Sequence, residues 1–335
     1  ACALLNSQPM GFYAPAQIVR DAKAHGVAVR PIDVNISAWD STLEPDPAST
    51  DALALRLGLR VISGLSEEDG RALVLVREAG NARPFASVED AAMRAGLGRK
   101  ALTALAEADI FAGLAPSRPR AHWAALATDS KARKELPLFA ASEGPLIHEP
   151  DARMPEESPG QAVVHDYQAI GLTLRQHPLA LLRPTLERLG LSDTRRFRMA
   201  RQGQSIRLPG LVLMRQRPGT AKGVVFVTIE DEFGDANLVV YAHVVEQDRR
   251  ALLASRLLLA TGRVERVDEH VEVPIVHLIV QRLVDRSDLL DALRQDGDPR
   301  DAAWADRMIG RADEVKRPEP GLRSGQVRMA SRDFR

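Results

Sequence analysis

The chain has 335 residues, 45 % apolar and 27 % charged, enough for two or three ordinary soluble domains with buried cores. Lys plus Arg and Asp plus Glu both number 45, so the net charge is zero and no whole-molecule field draws in nucleic acid. The single cysteine, Cys2, excludes an internal disulfide and a cysteine-based zinc site, as expected in a reducing cytoplasm, and no long apolar run offers a membrane span.

The chain opens on Ala1 within helix-like ACALLNSQ, with no Met and no signal segment, and reads as a cut N-terminus. An amphipathic helix is expected from Pro15, with Ile18, Val19 and Ala22 on one face. Residues 27–35, VAVRPIDVN, alternate like a short strand, and the Pro/Ser/Asp-rich stretch 40–51 reads as a loop. From 52 to about 127 the pattern is short helices joined by Gly-containing turns. Residues 128–164 read as a linker, and 165–202 as a helical connector interrupted by Pro178 and Pro184.

From 203 the apolar period becomes two, with Ile206, Leu208, Val212 and Met214 expected on one face of the first strand. Two further strands, a helix over 242–255 and two more strands joined at Asp268-Glu269 follow, in the order of an OB-fold barrel. Residues 286–335 form a charged tail. The expected fold class is therefore α+β and multidomain: 1–50, then a helical tandem helix-hairpin-helix domain over 51–127, the linker and connector, and a five-stranded OB-fold β-barrel over 203–285.

Two turns carry the functional reading. VISGLSEEDG (61–70) and RAGLGRKALT (94–103) each place a glycine before a helix start, where free N–H groups and the helix dipole attract anions. Two such units grip a duplex backbone without reading its bases, which makes Gly64, Leu65, Gly96, Leu97 and Gly98 candidate DNA contacts. Acids follow the first turn and suit the dipole but repel phosphate. Arg99 and Lys100 follow the second and oppose the dipole by about 0.3–1 kcal/mol, a mismatch that a docked polyanion relieves. The alternative is that both are ordinary helix–helix turns.

Seven arginines and no acid lie between Thr194 and Arg217, leading into the first barrel strand. Arg207, Arg215 and Arg217, with the rings of Phe226 and Tyr241, are the candidate single-strand contacts; a solvated charged face on a packing barrel is the alternative. No Asp-x-Asp between apolar strand residues, HxxxH pair or GxxxxGK[ST] loop is present. Glu230-Asp231-Glu232 reads as turn chemistry. No metal site or catalytic residue is assigned.

LLNSQPMGFYAPAQIVRDAKAHGVAVRPIDVN (4–35) resembles the end of the fingers region of bacterial C-family DNA polymerases, the DNA polymerase III alpha-subunit family. QPMGFY, HGVAVRPIDVN and the C-terminal SRDF are most similar to its damage-inducible, error-prone branch, and the likeness runs in order along nearly the whole chain. It implies template-directed DNA synthesis across lesions with magnesium and deoxynucleoside triphosphates. The catalytic carboxylates of the palm and the N-terminal histidinol-phosphatase-like domain would then precede Ala1, leaving a C-terminal piece that holds DNA and does not polymerise alone. The hairpins would lie on the duplex and the barrel near the template single strand. ELPLF (135–139) occupies the place of a sliding-clamp peptide in replicative relatives, with Leu138 and Phe139 as its anchors. Glu135 stands where such peptides carry Gln, so the segment is read first as a linker anchor, with accessory mutagenesis proteins as the implied recruiters. A protein-interaction module and an OB-type RNA binder stand as alternatives.

Overall fold

The computed structural model describes residues 1–9, 14–79, 83–128, 154–219, 223–267 and 274–295. Met10 to Tyr13 of QPMGFY, the anchors Leu138 and Phe139, Asp268-Glu269, and the tail from 296 with SRDF lie outside the described residues. The chain divides into two units, Ala1–Arg175 and Gln176–Arg335.

In the first unit α1 (Cys2–Asn6) precedes α2 (Pro15–Ala24). Pro15 takes the first helical position, where a missing N–H costs nothing, and Ile18, Val19 and Ala22 form the buried stripe. The strand expected over 27–35 is confined to β1 (Val29–Arg30). The stretch read as a loop holds β2 (Thr42–Pro45), and β3 (Leu53–Arg56) lies where helix was expected. β3 is central, parallel to β1 and antiparallel to β2. Side-chain pairing sustains a strand in so polar a segment: Arg56 meets Glu44 diagonally across the ladder at 2.8 Å, and Arg30 reaches Asp46 at 2.7 Å. The Arg30 hydrogen bond, then the Ala48 amide, hold the Asp46 carboxyl below its ordinary value.

Among the described residues five further α-helices belong to the unit: α3 (Glu67–Glu78), α4 (Val88–Ala95), α5 (Arg99–Glu107), α6 (Arg118–Ala127) and α7 (Pro159–Ile170). α7 starts inside the stretch read as linker because Ser158 and Gln161 form a reciprocal capping box there. Leu5, Ile18, Val34, Leu55, Leu73, Leu97, Leu102 and Phe111 belong to one buried cluster, so residues 1–50 and 51–127 share a core. Each such side chain contributes about 1.5–3 kcal/mol by leaving water.

In the second unit α8 (Pro178–Arg188) and α9 (Thr194–Arg198) lead into β4 (Ser205–Gln216), β5 (Val225–Asp231) and β6 (Gly234–Val240). The helices α10 (Ala242–Gln247) and α11 (Arg249–Ala254) precede β7 (Leu257–Val267), β8 (Ile275–Asp285) and α12 (Ser287–Ala292). The strands close into a barrel in the order β4-β5-β6-β8-β7, with β6 and β8 parallel, the strand order of an OB-type barrel. Val225, Val227 and Ile229 point inward, with Leu238, Leu258 and Leu278 in the same core. The helix expected over 242–255 breaks at Asp248, whose carboxylate accepts the Leu283 N–H at 2.7 Å.

The register departs from the alternating pattern at one place. β4 bulges between Val212 and Met214: Val212 opposes inward Ile229, but Met214 opposes Thr228 and Arg215 opposes inward Val227. One extra residue moves Met214 off the face it was expected to share with Ile206 and Leu208, and turns Arg215 inward.

Candidate nucleic-acid interface

The second glycine turn is built by two opposed requirements, closing α4 and opening α5. α4 ends on Gly96 at φ 65°, and the N–H groups of Gly96 and Leu97 both donate to Ala92 O, Leu97 at 3.0 Å. Leu97 drives its side chain into the core, with 1 % exposed. Its amide and side chain are therefore both engaged, and the open amides begin one residue further on than expected. Gly98 is the N-cap of α5 and has no capping side chain. The N–H groups of Gly98, Arg99 and Lys100 have no acceptor among the described residues, and a Cβ on Gly98 would meet open space. Arg99 and Lys100 are exposed beside them, and the Arg99 guanidinium donates to Leu126 O at 3.3 Å in the last turn of α6.

The first turn differs in its cap and in its charges. Gly64 is exposed at φ 81° and Leu65 is half-buried against the core. Ser66 accepts the Asp69 N–H at 3.1 Å and donates to the Asp69 carboxylate at 2.6 Å, closing the start of α3. Glu67, Glu68 and Asp69 then fill the first helical turn with negative charge. Ser66 thus closes the third amide of α3, that of Asp69, amid acids, whereas at α5 the third amide, that of Ala101, also has no acceptor among the described residues and the flanking charges are cationic.

On the barrel, the expected arginines separate. Arg215, turned inward by the bulge, donates to Leu252 O and Ser255 O at the end of α11, and burial lowers its pKa. Arg207 remains exposed on β4 while donating to Leu189 O at 3.0 Å, and Arg217 is exposed beyond β4. Phe226 faces outward with 39 % exposed, opposite Gln216 and Val239. Tyr241, directly after β6, stacks on His243 with ring centroids 6.5 Å apart. His243 has no signal in the sequence, because its neighbourhood depends on the helix start at Ala242.

The carboxylates of 230–232 are structural. Asp231 accepts the Thr194 N–H at 2.8 Å and the Phe233 N–H at 2.9 Å, and Glu232 receives two bonds from Arg183, each 2.7 Å. Burial opposes the Arg183 charge, yet the Glu232 bonds prevail and raise its pKa. Among the described residues no group of three or more His, Cys, Asp or Glu could hold a metal ion. No helix among them is long and apolar enough to cross a membrane.

An open helix start flanked by cations and an OB-type barrel define a helix-hairpin-helix protein carrying an OB-type barrel. Residues 26–121 match the family described as helix-hairpin-helix motif. Over its whole length the chain is homologous to a portion of the error-prone DNA polymerases. The error-prone DNA polymerase of Brucella abortus biovar 1 (strain 9-941) is 42 % identical over 335 residues, 100 % of this chain and 29 % of the relative. Error-prone DNA polymerase 2 of Rhizobium meliloti (strain 1021) is 44 % identical over 326 residues, 95 % of this chain and 28 % of the relative. The chain thus spans less than a third of the length of these curated relatives. Among solved structures, the asparaginyl-tRNA synthetase of Pyrococcus horikoshii is 25 % identical over 25 % of this chain and 20 % of its own, with a TM-score of 0.21, too slight a likeness to bear on function.

Proposed function

We propose that this chain is a DNA-holding portion of an error-prone DNA polymerase, in which the α4–α5 hairpin clasps duplex phosphates and the barrel lies along the template single strand. The observation that carries this reading is the start of α5: the amides from Gly98 to Ala101 have no acceptor among the described residues, and two cations are placed against the helix dipole. Translesion synthesis, with its magnesium and deoxynucleoside triphosphates, belongs on this reading to the whole cytoplasmic polymerase, and the chain itself is assigned no catalytic step. Accessory mutagenesis proteins, rather than a sliding clamp at Leu138 and Phe139, are its expected recruiters.

Fluorescence anisotropy with a labelled duplex tests the hairpin. Arg99→Glu with Lys100→Glu is expected to weaken duplex binding and to flatten the dependence of log affinity on log salt by about 2, because two phosphates are then no longer neutralised. Unchanged affinity and slope would remove the hairpin from the interface. A wild-type chain that captures a protein partner but binds no DNA at low salt would favour the interaction module instead.

A further inference from the structure

Barrel closure brings together arginines that are far apart in the sequence. On the outer face of β4, β7 and β8, Arg207 opposes Thr261, which opposes Arg282. In the next row Ser205 opposes Arg263, which opposes Ile279. Arg207 and Arg263 are diagonal neighbours, at a spacing of about 7–8 Å. All three arginines are exposed, and none forms an ion pair with an acid among the described residues. Arg207 donates to Leu189 O at 3.0 Å and Arg263 to Gly203 O at 3.4 Å, contacts that aim each guanidinium while leaving further donors outward. Glu265, opposite His277, is the acid of the following row.

The same row continues around the barrel. Ile279 opposes Val239, and Val239 opposes Phe226, so the exposed ring stands three strands from Arg263, about 14 Å at ordinary strand spacing. Cations at one end of an apolar row and an aromatic face at the other are the two elements that single-stranded nucleic acid uses, one for phosphates and one for a base.

We infer that Arg207, Arg263 and Arg282 form a phosphate-binding patch for single-stranded DNA on the outer β4–β7–β8 face, continuous with a base-stacking position at Phe226. The inference rests on the DNA-holding reading and adds residues to it, since Arg263 and Arg282 join the surface only when strands pair. Arginine suits the role through its planar fork of donors.

The test is anisotropy of a labelled oligothymidylate with the full chain across a salt series, beside the duplex measurement above. Arg263→Glu with Arg282→Glu is expected to weaken single-strand binding about tenfold or more and to flatten its salt slope by about 1.4. Arg263→Lys with Arg282→Lys, which keeps the charge, should retain most of the affinity and so exclude misfolding as the cause. Phe226→Ala should weaken single-strand binding with the salt slope kept. If the charge reversal leaves oligothymidylate binding unchanged while the Arg99 and Lys100 variant still weakens duplex binding, the patch is wrong and the hairpin reading survives. If the wild-type chain binds neither DNA, both fail; if it binds duplex but no oligothymidylate, the patch alone is overturned.

Discussion

Asp109 carries two costs at one position. Its backbone lies in the left-handed region at φ 58°, and burial holds its carboxyl above the ordinary value, only partly offset by Arg118 and Arg175. Asn tolerates that backbone and has no charge to desolvate, so Asp109→Asn is expected to stabilise the chain at neutral pH. A raised carboxyl pKa means that the folded chain holds the proton more tightly than the unfolded one. Wild-type stability from this group therefore recovers as pH falls through the raised pKa toward 3.8, and the advantage of the variant shrinks on acidification. Thermal melts of both proteins over that range decide the point; a gap that widens in acid contradicts it. Asp231 is the opposite case, because its buried carboxylate satisfies two backbone amides and faces Arg183 at 3.5 Å. Asp231→Ala leaves the two amides and the Thr194 hydroxyl unpaired while Arg183 keeps Glu232, and should cost about 3–5 kcal/mol in urea unfolding. A loss near zero would show that water replaces the carboxylate freely. The sequence marked this residue as turn chemistry, and half of that is visible in the Phe233 amide it accepts. The other half, Thr194, lies 37 residues away and needed the fold.

At the scale of elements, the hairpin contains a helix start without a side-chain cap, as α2 and α6 do, but with two cations directly after a glycine. α3, α4, α7 and α9 close their first turns with Ser66, Ser87, Ser158 and Asp193, each accepting a backbone N–H from the following turn. α5 has Gly98 in that place. Gly98→Ser would supply the missing acceptor, and the backbone at φ −80° and ψ 165° accommodates a side chain pointing into open space. The variant is expected to gain a few tenths of a kcal/mol in stability and to lose duplex affinity severalfold, because its hydroxyl takes the Ala101 amide, as Ser66, Ser87 and Ser158 take the third amide of their helices, and withdraws it from a phosphate. A melt and an anisotropy titration on the same sample check both halves, and unchanged affinity would show that those amides are idle. The hairpin was legible because Gly-Leu-Gly fixes a left-handed cap, a buried anchor and an uncapped start in consecutive residues. β2 was not, because Pro45 and Asp46 read as turn formers and the Glu44–Arg56 pairing that holds the strand is a cross-strand contact. The barrel order was legible from the period of two, but the bulge after Val212 was not, since nothing in LVLMRQ marks which residue is extra.

The chain has no net charge, and on the DNA-holding reading that limits how it would grip a duplex. A uniformly basic surface would pull a duplex in over a Debye length and show a steep salt dependence; this chain must rely on a few fixed cations and on amides, which displace no condensed counterions. With Arg99 and Lys100 as the cationic part of the hairpin, log duplex affinity should fall against log salt with a slope of about −2 to −4. The single-strand slope should respond to Arg263 and Arg282 and be indifferent to Arg99 and Lys100, because each unit then uses its own cations. A salt series on the wild-type chain with each DNA measures the two slopes without any variant. A duplex slope steeper than about −6 would require a broad cationic surface, and the matched totals of acids and bases would then have to be segregated onto opposite faces. A shallow slope with measurable affinity instead places the binding energy in oriented N–H groups and in one or two arginines at a time, which is what the start of α5 and the outer barrel rows provide.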